Sequence, residues 1–130
     1  MDTLVGTSGR TFTPLPIDGN RGFPQSFSLV FAGRNYRFRL YVNAPAHLLK
    51  DKSLILNLPT PEAFLVLQVE LDLTGGIRQP IFIRKVVPSL EYEAENIALI
   101  FPQQQVAVQN LNGQGNFGSQ ITGGIALRWA

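Results

Sequence analysis

Between Ser26 and Val42 the chain alternates with a period of two. Phe27, Leu29 and Phe31 fall on one side and Ser26, Ser28 and Val30 on the other. After Ala32-Gly33-Arg34-Asn35, the residues Tyr36, Phe38, Leu40 and Val42 alternate with Arg37, Arg39 and Tyr41. Two such runs joined by a glycine-bearing break predict a β-hairpin with one buried face. Asn43-Ala44-Pro45 ends it, and Ala46 to Asp51 is long enough only for a short helical turn. Ser53 to Leu58 reads as a further strand, closed by Pro59 and Pro61. Phe64 to Leu73 is the strongest core strand: Leu65, Leu67, Val69, Leu71 and Leu73 share one face, while Gln68, Glu70 and Asp72 lie on the other with Phe64 and Val66. Gly75-Gly76 predicts a turn, and Ile81 to Val87 a strand whose preceding Pro80 suits an edge or a strand start. Tyr92, Ile97 to Phe101, Val106 to Leu111 and Ile121 to Trp129 continue the β pattern.

The expected fold class is therefore all-β, an antiparallel β-sandwich or small β-barrel of about eight strands. No 12-residue stretch holds a helical period, and no internal repeat is present. Residues 1–25 carry no sustained period, and Gly6, Gly9, Gly19 and Gly22 are interspersed with Pro14, Pro16 and Pro24. They read as an extended N-terminal arm ahead of a single β domain over residues 26–130. A length of 130 residues leaves no room for a second core.

Composition sharpens this picture. Charged residues make up 15% and hydrophobic ones 45%, whereas an ordinary soluble chain is about 25% charged; the mixture excludes disorder throughout. The 12 Gly and 9 Pro argue for many turns and against a helical bundle. The formal charge of +2 is shallow for a phosphate-tracking protein. With 0 Cys there is no disulfide framework, thiolate nucleophile or cysteine zinc site. Met1 to Arg10 lack the basic and apolar regions of a secretion signal, so folding in the cytosol is expected. No apolar run is long enough for a membrane helix.

The charge deficit has a location. From Asn96 to Leu127, 32 consecutive positions carry no charge. Interface cores lose Lys, Glu and Asp, so this segment and the arm are expected to face protein rather than water, whether in this chain or in a neighbour.

Candidate chemistry is sparse. His47 is the sole histidine, so one chain cannot supply a histidine-based triad or a multi-histidine metal site. Glu70 and Asp72 share a strand face at a spacing that acid/base pairs use, but no partnering base accompanies them and solvated positions are expected. Glu91, Glu93 and Glu95, spaced by two, would place three carboxylates on one side of an extended segment. Such a row is solvated or faces a basic surface; calcium chelation would need a fuller oxygen-ligand loop. Arg34, Arg37 and Arg39 with Tyr36, Phe38 and Tyr41 form the basic and aromatic cluster. Stacking platforms place cations and aromatics on one face, yet alternation leaves only Tyr41 beside Arg37 and Arg39. An arginine face that meets carboxylates, of a neighbour or of this chain's own row Glu91, Glu93 and Glu95, fits better than one that meets nucleic acid, because the guanidinium fork grips a carboxylate with two bonds.

The run from Phe27 to Asn43 resembles the opening of the small baseplate plug proteins of contractile-tailed phages. There a strand leads through a Gly-x-x-Tyr turn into an alternating strand ending in Asn; the corresponding residues here are Gly33, Tyr36, Phe38, Leu40, Tyr41 and Asn43. Leu71 to Leu73 and Ile83 to Ala94 are similar to the family's middle section. The 25-residue arm and the long neutral C-terminal section depart from its shorter pattern. The resemblance implies a non-enzymatic virion protein of the tail baseplate, made in the host cytoplasm, that works through contacts with hub, spike or tail-tube proteins. It implies no catalytic residue, no cofactor and no metal; a homo-oligomer stays open, and neither membrane nor nucleic acid is expected as a partner. Arg34, Arg37, Arg39, Tyr41, Glu91, Glu93 and Glu95 are the expected interaction residues. The alternatives are a capsid cement protein and a β module that binds carbohydrate or single-stranded nucleic acid.

Overall fold

The computed structural model describes residues 4–129. They form an antiparallel β-sandwich of ten strands rather than about eight. The strands are β1 (Leu4–Val5), β2 (Thr11–Pro14), β3 (Gln25–Phe31), β4 (Arg34–Asn43), β5 (Ile55–Asn57), β6 (Phe64–Asp72), β7 (Arg78–Val86), β8 (Glu91–Ala94), β9 (Ile97–Ala107) and β10 (Gln120–Leu127). One sheet has the order β1-β2-β10-β9-β5, with β8 also paired to β9; the other is β3-β4-β6-β7. The predicted helical turn is a short 3-10 segment, Ala46–Lys50.

The hairpin forms as its alternation requires. β3 and β4 pair from Gln25 with Leu40 to Phe31 with Arg34. The connection is Ala32-Gly33, with φ of 52° and 77°, and positive φ at both central residues matches the right-handed twist of the flanking strands. Tyr36, Phe38 and Leu40 point inward and are buried, as are Leu65, Leu67, Val69 and Leu71 of β6. Leu73 departs from expectation: β6 ends at Asp72, and Leu73 is exposed.

Facing them from the other sheet are Ile97, Leu99, Phe101 and Val106 of β9, Ile121 and Ile125 of β10, and Tyr92 and Ala94 of β8. The separate strands expected over Ile97 to Phe101 and Val106 to Leu111 are one strand, β9, followed by a 3-10 turn at Val108–Asn110. Pro102 does not interrupt it. One edge of β9 pairs with β8 up to Ile100 and with β5 only from Gln105, and on the other edge the β10 register shifts between Thr122 and Gly124. A residue without an N–H is tolerated at such a gap.

The arm is part of this sheet. β2 pairs with β10 through Thr13 with Ile125 and Pro14 with Gly124, and β1 folds back on β2. On the outer face of this sheet the fully buried side chain of Phe12 packs with Ala98, Ile100 and Ala126, and Leu4 packs against them. Gly124 makes this possible, because a Cβ there would lie 2.7 Å from the Phe12 Cβ. Beyond β2, Phe23 is tied to the neutral loop by Phe23 N–H to Asn110 O (2.8 Å) and Asn112 N–H to Phe23 O (2.7 Å). The expectation that the neutral segment and the arm face protein holds only in part: Phe12, Leu15 and Phe23 of the arm and most apolar residues of β9 and β10 are buried within this chain, whereas most other arm residues and Gln109, Asn112, Gln114 and Phe117 of the neutral segment are exposed. Residues 1–3 of the arm, and residue 130 of the expected domain, lie outside the described residues.

Phe12→Ala is expected to lower the unfolding free energy by about 3–5 kcal/mol, the usual cost of emptying a buried phenylalanine site. Denaturant melts read it; a loss below about 1 kcal/mol would mean that the arm unfolds apart from the sandwich.

Candidate functional site

The two sheets turn their outer faces in opposite directions, and the predicted interaction residues divide between them. On the four-stranded sheet, register aligns Ser28, Arg37 and Glu70 in one row and Ser26, Arg39, Gln68 and Ile83 in the next. Arg78 stands beside Asp72 on β7. Ser26, Ser28, Arg37, Arg39, Gln68, Glu70 and Arg78 border a shallow groove of about 390 Å³. Strand parity builds it, since the residues alternating with Tyr36, Phe38 and Leu40 must point outward.

The charges of this face are only partly matched. Asp72 Oδ2 accepts from Asn35 Nδ2 at 2.7 Å, while its Oδ1 has no hydrogen bond and lies 3.6 Å from Arg78 Nε as a looser ion pair. Glu70 is the register partner of Arg37. Arg39 lies over the Tyr41 ring, 5.5 Å from its centroid, and Lys85 extends the positive edge over Phe64 at 5.1 Å. Such stacking is worth about 0.5–1 kcal/mol at an exposed site. Arg34 does not join the row. It opens β4 opposite Phe31, with the parity of Tyr36, and is exposed at the tip of the hairpin.

The glutamates lie on the other sheet, so they are not the partners of Arg37 and Arg39. Three carboxylates on one side were expected; the structure aligns two. Glu91 and Glu93 project from β8, whereas Glu95 sits in the β8–β9 turn with φ of 52°, which breaks the period. The Glu91 carboxylate accepts from Ser8 N–H (2.7 Å), Ser8 Oγ (2.9 Å), Thr7 Oγ1 (3.1 Å) and Arg10 Nη1 (3.1 Å). Glu93 Oε2 lies 3.6 Å from both Arg10 Nη2 and Arg128 Nε, and Arg10 Nη2 also donates to the Arg128 carbonyl at 3.0 Å. The Arg128 guanidinium in turn stacks on Trp129, 4.6 Å from the ring centroid.

This cluster latches the two ends of the described chain to the β8–β9 hairpin. Arg10 and Arg128 were not among the predicted residues, although one signal marked Arg128: it is the sole charged residue after Glu95. Burial by itself pushes the Glu91 carboxyl up. The bonds from Ser8 and Thr7, with the Arg10 charge, outweigh it and hold the group below its ordinary value of 4.5.

The remaining candidates are dispersed. His47 is exposed, its Nε2 3.0 Å from Glu62 Oε2. Among the described residues no three His, Cys, Asp or Glu side chains gather as a metal site, and no helix is long and apolar enough to cross a membrane.

Because its folded-state value is depressed, Glu91 contributes stability that is present above 4.5 and is lost as pH falls through the folded value. Glu91→Gln is expected to cost about 0.5–1.5 kcal/mol near neutral pH, the scale of charged hydrogen bonds at a site that water partly screens, and to flatten the acid limb of stability. Urea midpoints measured from neutral pH to below 4.5 would show equal acid limbs in both proteins if the latch contributed nothing.

Compared with family models, curated proteins and solved structures, the chain matches none.

Proposed function

We propose that this protein is a non-enzymatic structural component of a tailed-phage virion, seated at the baseplate. In this role it docks the outer face of β3, β4, β6 and β7 against an acidic surface of a hub, spike or tail-tube protein. The observation that carries the reading is the grouping of Arg37, Arg39 and Arg78 around one shallow groove between the small polar side chains of Ser26, Ser28 and Gln68. The planar forks of these arginines take carboxylates in two parallel bonds, which offset the rotamer freedom lost on binding. Short serines beside them let a partner approach the strands. The hairpin that builds this face is the Phe27 to Asn43 segment that resembles the plug family, so resemblance and charge point to one surface.

Binding to single-stranded nucleic acid draws on Arg39 and Tyr41, but Arg39 already covers one face of that ring, and a stacking base needs an open one. Oligonucleotide affinity over a salt series separates the two, because phosphate contacts carry a steep salt slope. Copy number separates the capsid cement alternative, with a few chains per particle expected at a baseplate and hundreds on a capsid.

The double variant Arg37→Glu and Arg39→Glu is expected to weaken association with tail proteins by at least about tenfold, since like charges then meet across the interface. Both side chains point outward, so the sandwich is expected to persist at a cost of about 1–2 kcal/mol, from the lost Arg39–Tyr41 stack and the carboxylate set opposite Glu70; thermal melts check it. Tail association undiminished in this variant would remove the basic face from the docking surface.

A further inference from the structure

Strand β3 is a sheet edge without the usual protection. The other long edge, β7, carries Pro80, a register shift opposite Val69 and Glu70, and the exposed cations Arg78, Arg84 and Lys85. In the six-stranded sheet, β1 is 2 residues long, β5 is 3, and β8 is 4 with two glutamates. Short length, charge, proline and bulges all discourage edge-to-edge pairing. β3 runs for 7 residues, Gln25–Phe31, with no charge, no proline and an unbroken register against β4.

Its hydrogen-bonding groups are set by the hairpin turn. In a two-residue turn the flanking pair, Phe31 and Arg34, exchanges hydrogen bonds, and such pairs then recur at every second residue. Gln25, Phe27, Leu29 and Phe31 therefore bond toward β4. Ser26, Ser28 and Val30 present their N–H and C=O groups to the outside. All three are exposed, Val30 to 71%.

We infer that β3 pairs antiparallel with β3 of a second copy of this chain, about a two-fold axis through Ser28, joining two four-stranded sheets into one of eight strands. That axis pairs Ser28 with itself and Ser26 with Val30 of the other copy, so all the outward N–H and C=O groups of these three residues are used. A one-residue displacement of either strand would bring the inward-bonding residues opposite the outward ones and lose the ladder. On the inner face the same axis sets Phe27 against Leu29 of the second copy, extending the half-buried row in which Phe27 stacks on Phe38 at 5.0 Å. Charge permits the arrangement. No like charges meet on β3, and the two Arg37 residues stand three strand spacings apart, about 14 Å, beyond the screening length at physiological salt. A second copy suits this edge because it brings a strand of the same length, also free of charge and proline, and the axis then sets apolar Phe27 against apolar Leu29 on the inner face and small uncharged Ser28 against itself on the outer. This pairing does not depend on what the basic face binds.

The axis makes a specific test possible. Sedimentation equilibrium on the full chain is expected to show a reversible dimer. Ser28→Lys and Ser28→Glu are each expected to weaken it by at least about tenfold, because the axis sets each new charge against its own copy. An equimolar mixture of the two variants is expected to restore a dimer, now a heterodimer in which the introduced ammonium faces the introduced carboxylate across the axis. Thermal melts of both variants check that the sandwich persists, as expected for an exposed side chain whose N–H points away from β4. A wild-type chain that stays monomeric, variants that dimerise undiminished, or a mixture that fails to restore the dimer would each overturn the pairing.

Discussion

Strand β9 carries Ile97, Leu99, Phe101 and Val106 into the space between the sheets and Ala98 and Ile100 onto the opposite face. A strand that is apolar on both sides needs a cover on both sides. The four-stranded sheet supplies one, as in any sandwich. The N-terminal segment supplies the other by pairing β2 with β10 and laying Phe12 over Ala98, Ile100 and Ala126. Gly124 and the small residues Ala98 and Ala126 follow from the same requirement, since a ring can lie on a sheet only where the residues beneath it are short.

Placing the arm there has an electrostatic consequence. The turn between β1 and β2 brings Thr7, Ser8 and Arg10 to the two glutamates of β8, and Arg128 arrives from the end of β10. These charges are used within the chain. The arginines of β4 have no equivalent. They lie on the far side of the sandwich, where Glu70 and Asp72 offset them only in part, so the imbalance available to a partner sits on one face. Its edge, β3, is also the edge whose backbone groups are left unpaired.

Legibility followed the range of the interactions. The β3–β4 hairpin was readable from Ser26 to Val42 because its two determinants, alternation and a glycine turn, lie within neighbouring residues. β6 was readable for the same reason, up to Leu73, where the sheet ends before the alternation does. β1 and β2 were not readable, since four residues with one buried side chain, Phe12, carry too little period to detect. Pro102 hid the continuity of β9, because proline reads as a break unless the gap between β8 and β5 is known. In the candidate sites, Arg37, Arg39 and Tyr41 share a face by parity alone, whereas the partners of Glu91 are 81 to 84 residues away in sequence.

By itself the sequence determined the all-β class, the hairpin, the faces of β4 and β6, and the concentration of apolar, uncharged residues between Asn96 and Leu127. Those properties reside in the period and type of adjacent side chains. Which surfaces cover one another was decided only by the tertiary structure: the arm over β9, Arg10 and Arg128 at the glutamates, Arg37 and Arg39 on the face away from them. The physical reason is that an apolar strand face or a carboxylate specifies the chemistry of its partner but not its position in the chain. That position is selected when the sheets close on a common core.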